Sequence, residues 1–356
     1  MDTLSQTIQS IKPINKTFMD QAYERLDNQA RPNGSLGKIE HMAARLGGIF
    51  QQIDIHLKNK CIVVCAGDHG ICDESVSQFP AEVTPQMVMN FIDGGASINV
   101  LANDAGASVH VADLGVNYTF DPALPLFHKK IGRGTHNFAK QPAMTRDQAV
   151  SSIEAGIEIV DELVRNQTIH VLGTGDMGIG NTTPSTAIIA CYCQLPVEMV
   201  TGRGTGIDDQ GLQRKIEVIK NALDFHMPDE SDPIDVLHKV GGFEIGGLCG
   251  LTLGAARHGI PVICDGLIST AGALLAVELC KTTRDYLFAS HQSVEKGHQF
   301  MLSHLQLDAM LHLDFRLGEG TGAALCMKLM DAATRVLSEI KTFDEVGIVN
   351  AQKSTP

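Results

Sequence analysis

Residues 168–183 read TIHVLGTGDMGIGNTT, a short apolar run that passes directly into a glycine-rich segment. An apolar run of this length is typical of a strand buried on both faces, and the glycines are typical of a tight connection to a helix. The stretch after Pro184 suits that helix, because proline is favoured at the first helical position. The segment therefore predicts a buried parallel strand, a loop and a helix in succession.

The same pattern, an apolar run followed by a connection and a helical stretch, recurs along the chain from Cys61 onward. Runs rich in β-branched residues end in Gly or Asp, and each is followed by a longer amphipathic or Ala-rich stretch. The predicted strands are 61–66, 108–113, 168–173, 197–201, 261–265, 286–290 and 311–315. This alternation predicts an α/β fold with a doubly wound, Rossmann-like parallel sheet in three αβα layers.

The two chain ends have a different pattern. Apolar residues follow helical spacing in 1–57, around a break at 31–34, and again after Glu319 before a polar tail. We expect the last helix to lie outside the sheet and to pack with the N-terminal helices. The predicted division is a helical part at 1–60, an α/β domain with the active site at 61–325, and a helix with its tail at 326–356. The first and last parts would together form a smaller helical domain.

Composition and charge exclude several classes of protein. The chain is 44% hydrophobic and 19% charged, as in ordinary folded domains. Its 28 Lys and Arg against 41 Asp and Glu give a net charge of −13 without a basic run, so nucleic acid is not an expected partner. Nine cysteines lie mostly in apolar stretches without a C-x-x-C pair, which predicts reduced thiols and a cytoplasmic location. Neither a membrane segment nor a signal peptide is expected.

Four glycine clusters share one predicted position, the point where a strand ends and a helix begins. They are 67–70, 173–183, 202–206 and 318–322. Ligands of parallel sheets bind at the carboxyl ends of the strands, where glycine lets main-chain N–H groups approach a phosphate. Each cluster taken alone is also compatible with a simple tight turn.

The cluster at 173–183 is compatible with two kinds of nucleotide. Residues 173–178 match G-x-G-x-x-G, and Glu198 follows about twenty residues later, as in dinucleotide-binding loops. However, the glycine-rich run continues to Asn181 and Thr182, whose position at a helix N-terminus suits a single phosphate. A mononucleotide is therefore the better interpretation.

Few titratable residues lie near these clusters. Glu319 stands between two glycines, which suits a carboxylate aimed into a site but also an exposed turn. Asp176 is a candidate second acid or a helix cap. Asp68 and His69 lack a further ligand at metal spacing, so we expect them to be structural and expect no metal site.

Five segments together resemble a known family. They are GDHGICDESVSQFPAEVTPQMVMNF (67–91), LGTGDMGIGNTTPSTA (172–187), DVLHKVGGFEIGGLCGLTLGAARHGIPVICDG (235–266), SHQSVEKGH (290–298) and LGEGTGAAL (317–325). In these segments the chain resembles the nicotinate-nucleotide:dimethylbenzimidazole phosphoribosyltransferases, which make the lower-ligand nucleotide of cobalamin. The resemblance implies a doubly wound domain, a smaller domain built from both chain ends, and a homodimer.

The resemblance also implies an activity and a site. The substrates would be nicotinate mononucleotide and 5,6-dimethylbenzimidazole, the products nicotinate and α-ribazole 5′-phosphate, without a cofactor or metal. Glu319 matches the catalytic base. Positions near the nucleotide and its phosphate are Asp176, Gly178, Gly180, Asn181, Thr182, Lys215, Gly266 and Ser293. Positions of the base pocket are Phe79, Gln86, Met177 and Leu317. Asp176 stands where the family is expected to have Glu, so a direct carboxylate contact from this loop is open.

Two other functions stay open on the residues alone. One is an NAD-dependent oxidoreductase that uses the loop at 173–178, and the other is a non-catalytic nucleotide-binding regulator on the same fold. A proton-accepting Glu319 would separate the transferase from both. The lower-ligand base used in the cell depends on pocket shape, which no motif defines.

Overall fold

A computed structural model describes residues 2–349 of the 356-residue chain. Its centre is a six-stranded sheet with the strand order β3-β2-β1-β4-β5-β6, in which every pair is parallel. The strands are β1 (Lys60–Gly67), β2 (Ala107–Gly115), β3 (Phe127–His128), β4 (Val171–Met177), β5 (Val262–Cys264) and β6 (Leu287–Ala289). The order reverses between β1 and β4, so the predicted doubly wound α/β sheet is confirmed.

Fifteen α-helices surround the sheet within the described residues. They are α1 (Thr3–Ser10), α2 (Lys16–Asp27), α3 (Lys38–Phe50), α4 (Val83–Ile92), α5 (Ser97–Ala105), α6 (Arg146–Asn166), α7 (Thr182–Cys193), α8 (Val197–Val200), α9 (Asp209–His226), α10 (Pro233–Val240), α11 (Phe243–Arg257), α12 (Leu267–Leu279), α13 (Lys296–Leu305), α14 (Thr321–Glu339) and α15 (Phe343–Val346). Between residues 2 and 349, none of these helices has the length and apolarity needed to cross a bilayer.

The sheet is covered on both faces. Alternate side chains of a strand point to opposite faces: Cys65 lies under α11, whereas Ile62 faces the start of α14. Helix α11 packs on β1, β2 and β4 with α6 beyond it, and α14 packs on β1, β4 and β5. Every residue of β1 is consequently buried. Full burial of an aliphatic side chain contributes about 1.5–3 kcal/mol, so this strand is a main source of stability.

The two ends of the chain meet along the second half of α14. The Arg25 Nε donates to the carbonyl oxygen of Leu337 at 2.7 Å, and the Gln29 Nε2 donates to that of Val336 at 2.6 Å. Helices α2 and α3 both pack against α14. These contacts agree with the expected pairing of the chain ends, although the division at residues 60 and 325 stays a prediction. The polar tail at 350–356 lies outside the described residues.

Two predicted strands are wrong, and one strand was not predicted. Residues 197–201 contain the short helix α8, in which Val197 and Val200 are buried at a spacing of three and Met199 is exposed. Residues 311–315 form no strand: Leu311 makes a single bridge to His291, and a left-handed Asp314 (φ 55°) breaks the extended backbone. Strand β3 is only two residues long, too short to leave a pattern in the sequence.

The glycine clusters also differ from prediction. The clusters that begin at Gly67 and Gly173 lie where a strand ends, as predicted, whereas 202–206 follows α8 and 318–322 precedes α14 without a strand directly before it. Strand β4 begins three residues later than predicted and includes Gly173 and Gly175. A Cβ at Gly175 would lie 2.5 Å from the Glu319 carbonyl oxygen, so this glycine is required by the protein's own packing. Helix α7 begins at Thr182 rather than at Pro184.

Candidate active site

A cavity of about 1030 Å³ opens at the carboxyl ends of the strands, beside the reversal of strand order. The segments after β4, β5 and β6 form its floor, and α4, α5 and the turn before α14 form its walls. This is where ligands of doubly wound sheets bind. The volume lies at the upper end of the range for small-molecule sites, which suits a nucleotide together with a second ring system.

Ten of the thirteen predicted site residues line this cavity. They are Phe79, Asp176, Met177, Gly178, Asn181, Thr182, Gly266, Ser293, Leu317 and Glu319. The other three lie outside the lining. Gly180 is a left-handed residue (φ 88°) packed against Cys72, Lys215 is buried behind Thr182, and Gln86 is exposed on α4. The structure therefore brings together residues that are widely separated in sequence.

Glu319 has an unusual backbone conformation. Its φ is 63°, and its neighbours Gly318 and Gly320 have φ of 85° and 93°. Left-handed residues other than glycine are uncommon and point to a functional constraint when the surrounding structure holds them in place. The turn directs the Glu319 carboxylate toward α5, where Oε2 accepts a hydrogen bond from the Ile98 main-chain N–H at 3.3 Å. The carboxylate is therefore buried in the cavity wall rather than exposed on a turn.

Burial raises the pKa of the Glu319 carboxyl group, and the hydrogen bond from the Ile98 N–H opposes that rise. A raised pKa makes the carboxylate a stronger proton acceptor than an exposed one. The N–H donor at the start of α5 favours the ionised form, because the first turn of a helix has free donors and a positive dipole end. Glu319 is thus suited to accept a proton.

Asp265 holds the turn that contains Glu319. Its carboxylate accepts hydrogen bonds from the main-chain N–H groups of Gly320 at 3.0 Å, Gly322 at 2.7 Å and Ala323 at 3.3 Å. Burial raises the pKa of Asp265 to about 7, against the effect of these three donors. Asp265 is not among the site residues predicted from the sequence. Its available signal was an acid at the end of the predicted strand 261–265, directly before Gly266.

Asp176 has a different surrounding from Glu319. Its Oδ2 accepts a hydrogen bond from the Asn181 side-chain amide at 3.0 Å, and its Oδ1 is buried without a partner in the described chain. Burial raises the pKa of Asp176 well above its usual range, and the neighbouring Asp265 and Glu244 raise it further. Asp176 therefore supports the residue that precedes α7 instead of capping the helix directly.

The N-terminus of α7 forms one end of the cavity. Lys215 is fully buried, and its Nζ donates to the Thr182 Oγ1 at 2.7 Å. Burial lowers the pKa of Lys215 to about 8, with Glu295 acting in the opposite direction. On the other side, the Ser293 main-chain N–H donates to His298 Nδ1 at 2.9 Å. A helix N-terminus with an adjacent cation is a ready site for a phosphate.

Several lining residues were not predicted. Arg316 lines the cavity, and its Nη1 donates to the Gly204 carbonyl oxygen at 2.9 Å, which joins two loops across the opening. His291 also lines the cavity, in the segment 290–298 that forms part of the family resemblance. The apolar wall includes Val83, Met87, Val100, Leu101, Ile179 and Phe315. These residues come from separate elements and share no local motif, so no sequence signal identified them.

Asp68 and His69 lie beneath the cavity. The His69 Nε2 is 2.7 Å from the Glu244 Oε1, and both side chains are buried. An Asp68 carboxylate oxygen accepts a hydrogen bond from the Asn117 main-chain N–H at 2.8 Å. Both residues thus have contacts within the chain, while the buried Asp68 Oδ1 and His69 Nδ1 have no hydrogen-bond partner among residues 2–349. Their structural role stays a prediction.

Comparisons with known proteins identify the family. A family model described as phosphoribosyltransferase matches residues 11–348. The nicotinate-nucleotide–dimethylbenzimidazole phosphoribosyltransferase of Geobacter sulfurreducens is 52% identical over 348 residues, 98% of this chain and 99% of the relative. The enzyme of the same name from Desulforamulus reducens is 51% identical over 350 residues, with the same coverage. The crystal structure of CobT from Thermus thermophilus matches with a TM-score of 0.90 and 41% identity, over 94% of this chain and 100% of that chain. This chain therefore belongs to the nicotinate-nucleotide:dimethylbenzimidazole phosphoribosyltransferase family.

Proposed function

We propose that this protein transfers the 5-phosphoribosyl group of nicotinate mononucleotide to 5,6-dimethylbenzimidazole, giving nicotinate and α-ribazole 5′-phosphate for the lower ligand of cobalamin. Family membership supports this reaction. The structural observation that carries it is the placement of the Glu319 carboxylate, which its turn holds in the wall of the cavity. The same cavity contains the N-terminus of α7, which suits a phosphate. No protein group has to supply a leaving-group proton, because the pyridine nitrogen of the substrate is already quaternised.

The reaction forms one bond and breaks one bond at the same carbon. A benzimidazole nitrogen attacks C1′ of the ribose, and the bond from C1′ to the pyridine nitrogen breaks. The electron pair of that bond stays on nicotinate, which leaves with a neutral ring. The second benzimidazole nitrogen becomes acidic as the new bond forms, and the Glu319 carboxylate accepts its proton. Attack opposite the departing nicotinate converts the β-anomer into the α-anomer.

The phosphate binds at the N-terminus of α7. Asn181 and Thr182 begin this helix, and Lys215 supplies a buried cation directly behind Thr182. Ser293 lies at the same end of the cavity, and the guanidinium of Arg316 supplies a second cation. Gly178 and Gly266 line the cavity without side chains, which leaves room for the ribose between the phosphate and Glu319.

The base binds against the apolar wall. Phe79, Met177 and Leu317 line the cavity together with the aliphatic side chains of α4 and α5. A flat, apolar surface of this kind suits a bicyclic ring with two methyl groups. Gln86 is exposed and does not line this wall, so its contact with the base is a prediction that the arrangement of the cavity does not support.

Product analysis tests this function. The purified protein is incubated with nicotinate mononucleotide and dimethylbenzimidazole, and nicotinate and α-ribazole 5′-phosphate are separated by chromatography and identified by mass. Formation of both in equal amounts is expected. Reduction of NAD with an alcohol or a hydroxy acid would instead support the oxidoreductase. Against that alternative, Gly173 and Gly175 lie within β4 and pack on α14 and its turn, so they form no free pyrophosphate loop.

We further propose that the enzyme is a homodimer in the cytoplasm. Large apolar side chains at the cavity are exposed in the single chain: Phe79 by 49%, Val100 by 66% and Leu317 by 56%. A second subunit over the cavity opening would cover such a surface. Light scattering on the eluted protein should give twice the mass of one chain. A single-chain mass at working concentrations would refute the dimer, and fractionation of cells tests the compartment.

A further inference from the structure

His291 lies in the cavity floor, between the N-terminus of α7 and the turn that contains Glu319. It follows β6 and precedes Ser293 by two residues. On its other side is Gly322, just after the Glu319 turn, where an added Cβ would lie 2.1 Å from the His291 Nδ1. The imidazole lines the cavity although only 2% of the side chain is exposed. It therefore lies between Ser293 and the Glu319 turn, where the proposed function places the ribose.

The hydrogen bonds of Ser290 fix the tautomer of His291. A serine hydroxyl has one hydrogen, and the Ser290 Oγ donates it to the Asp265 carbonyl oxygen at 2.7 Å. The same Oγ lies 2.9 Å from the His291 Nδ1, so at this contact Nδ1 must donate and Oγ must accept. The Asp265 carboxylate, 3.8 Å from Nδ1, also favours a proton on that nitrogen. A neutral His291 consequently has its lone pair on Nε2.

The ring is neutral under physiological conditions, since burial lowers the pKa of His291 to about 4. Its Nε2 has no hydrogen-bond partner among residues 2–349. An added Cβ at the cavity residue Gly266 would lie 3.7 Å from Nε2, so the absence of a side chain there leaves this nitrogen accessible. His291 therefore presents an acceptor, and no donor, to a ligand in the cavity.

The neighbouring His298 differs from His291 in the hydrogen bonds of its ring nitrogens. Its Nδ1 accepts a hydrogen bond from the Ser293 N–H at 2.9 Å, and its Nε2 therefore donates to the Thr270 Oγ1 at 3.0 Å. Both ring nitrogens of His298 are satisfied within the protein, as is usual for a buried polar side chain. Of these two histidines, only His291 has a nitrogen left for the substrate.

The substrates contain few groups that can donate to this nitrogen. The phosphate dianion and the nicotinate carboxylate only accept hydrogen bonds, and the benzimidazole N–H is assigned to Glu319. The ribose hydroxyl groups are the remaining donors. We propose that the Nε2 of His291 accepts a hydrogen bond from a ribose hydroxyl group of the nucleotide, orients the sugar for attack at C1′ and selects ribonucleotides over deoxyribonucleotides. This inference rests on the proposed function and adds a specificity-determining residue to it.

Two variants separate the two nitrogens of the ring. In His291→Asn the side-chain amide replaces the Nδ1 donor to Ser290 but leaves nothing at the Nε2 position. In His291→Gln the longer amide places an oxygen acceptor near that position. Each is assayed with dimethylbenzimidazole and three nucleotides: nicotinate mononucleotide and its 2′-deoxy and 3′-deoxy analogues. Thermal unfolding of both variants controls for loss of the fold.

We expect that removing the ribose hydroxyl group and removing the Nε2 acceptor lower kcat/KM by the same interaction, so the two losses do not add. For the wild type, kcat/KM falls about 5- to 100-fold with one of the deoxy analogues, the usual cost of leaving a buried polar partner unpaired. In His291→Asn, kcat/KM for nicotinate mononucleotide falls by a similar factor, and the deoxy analogue causes no further loss. In His291→Gln, part of the kcat/KM for nicotinate mononucleotide is recovered.

Other patterns overturn the inference. If the wild type uses both deoxy analogues with unchanged kcat/KM, no hydrogen bond to a ribose hydroxyl group contributes to specificity. This result would stand whether or not the variants fold. If His291→Asn lowers kcat/KM by the same factor for all three nucleotides, His291 acts only on the structure of the site. Turnover of nicotinate mononucleotide by the wild type tests the proposed function separately, because the inference concerns only the ratios between nucleotides.

Discussion

The main-chain N–H of Glu319 donates a hydrogen bond to the carbonyl oxygen of Asp176 at 3.2 Å. This bond joins the end of β4 to the turn before α14, and it is possible because Gly175 has no side chain to separate them. The proposed phosphate end of the cavity and the proposed proton acceptor, Glu319, are therefore attached to each other through the backbone. Such a connection keeps the reacting groups at a fixed separation, which transfer between two bound substrates requires.

Glu319→Gln tests the proton acceptor. The amide keeps the size of the side chain and the contact with the Ile98 N–H, but it cannot accept the benzimidazole proton. We expect kcat to fall by about 10²–10⁴, the usual contribution of a general base, with little change in either KM. Single-turnover release of nicotinate at saturating substrates measures this step directly. Release at the wild-type rate would remove Glu319 from the mechanism.

The ionisation of Glu319 predicts an acid limit for activity. Burial raises its folded pKa, and the group works as a carboxylate, so kcat should fall as the pH decreases through a value above the ordinary range of glutamate. Glu319→Gln supplies the control, since its residual activity should lack this limb. A wild-type acid limb that persists unchanged in the variant would assign it to another group.

Asp176→Asn should be much milder than Glu319→Gln. Burial among other acids raises the pKa of Asp176 and favours its neutral form, which an amide resembles in size and charge. We expect a change in kcat below about tenfold and a change in the free energy of unfolding within about 0.5–2 kcal/mol, the range for groups that support a helix N-terminus. Equal losses of turnover in the two variants, at unchanged stability, would show that Asp176 takes part in the chemistry.

Asp265→Asn tests the support of the turn that contains Glu319. An amide has a single acceptor oxygen and two donors, so it cannot accept from three N–H groups. We expect destabilisation by about 1–3 kcal/mol, from buried donors left without partners, together with a lower kcat because Glu319 is no longer held in its left-handed conformation. Denaturant unfolding and steady-state kinetics measure the two effects. Wild-type values of both would mean that the turn is held by packing alone.

Lys215 predicts an alkaline limit for nucleotide binding. Its pKa is lowered to about 8 by burial, so the fraction of protonated Lys215 falls as the pH rises through that value. The kcat/KM for nicotinate mononucleotide should therefore decrease above about pH 8, while the KM for dimethylbenzimidazole stays nearly constant. Lys215→Ala should weaken the nucleotide far more than the base and should lack the alkaline limb. Equal weakening of both substrates would contradict a charge interaction of Lys215 with the phosphate.

The sequence determined the fold class and most of the site's composition. The apolar run at 61–66 predicted β1 because a strand covered on both faces needs a continuous apolar segment. The β-branched residues of 108–113 predicted β2, although only its second half is buried. The glycines on either side of Glu319 marked this residue as a site candidate, because a charged side chain on a turn of small residues has no packing role of its own. These are properties of adjacent residues, and the sequence therefore contains them directly.

Tertiary structure decided which residues meet. Asp265 lies under the Glu319 turn and His291 lies in the cavity because the carboxyl ends of β5 and β6 meet at one edge of the sheet. Arg316 reaches the same cavity from the segment before α14. The same packing placed Gly173 and Gly175 inside β4, against the start of α14, although their spacing matched a dinucleotide loop. Spacing along the chain is a local quantity, whereas the protonation of Glu319, the tautomer of His291 and the burial of Lys215 depend on neighbours that only the folded chain supplies.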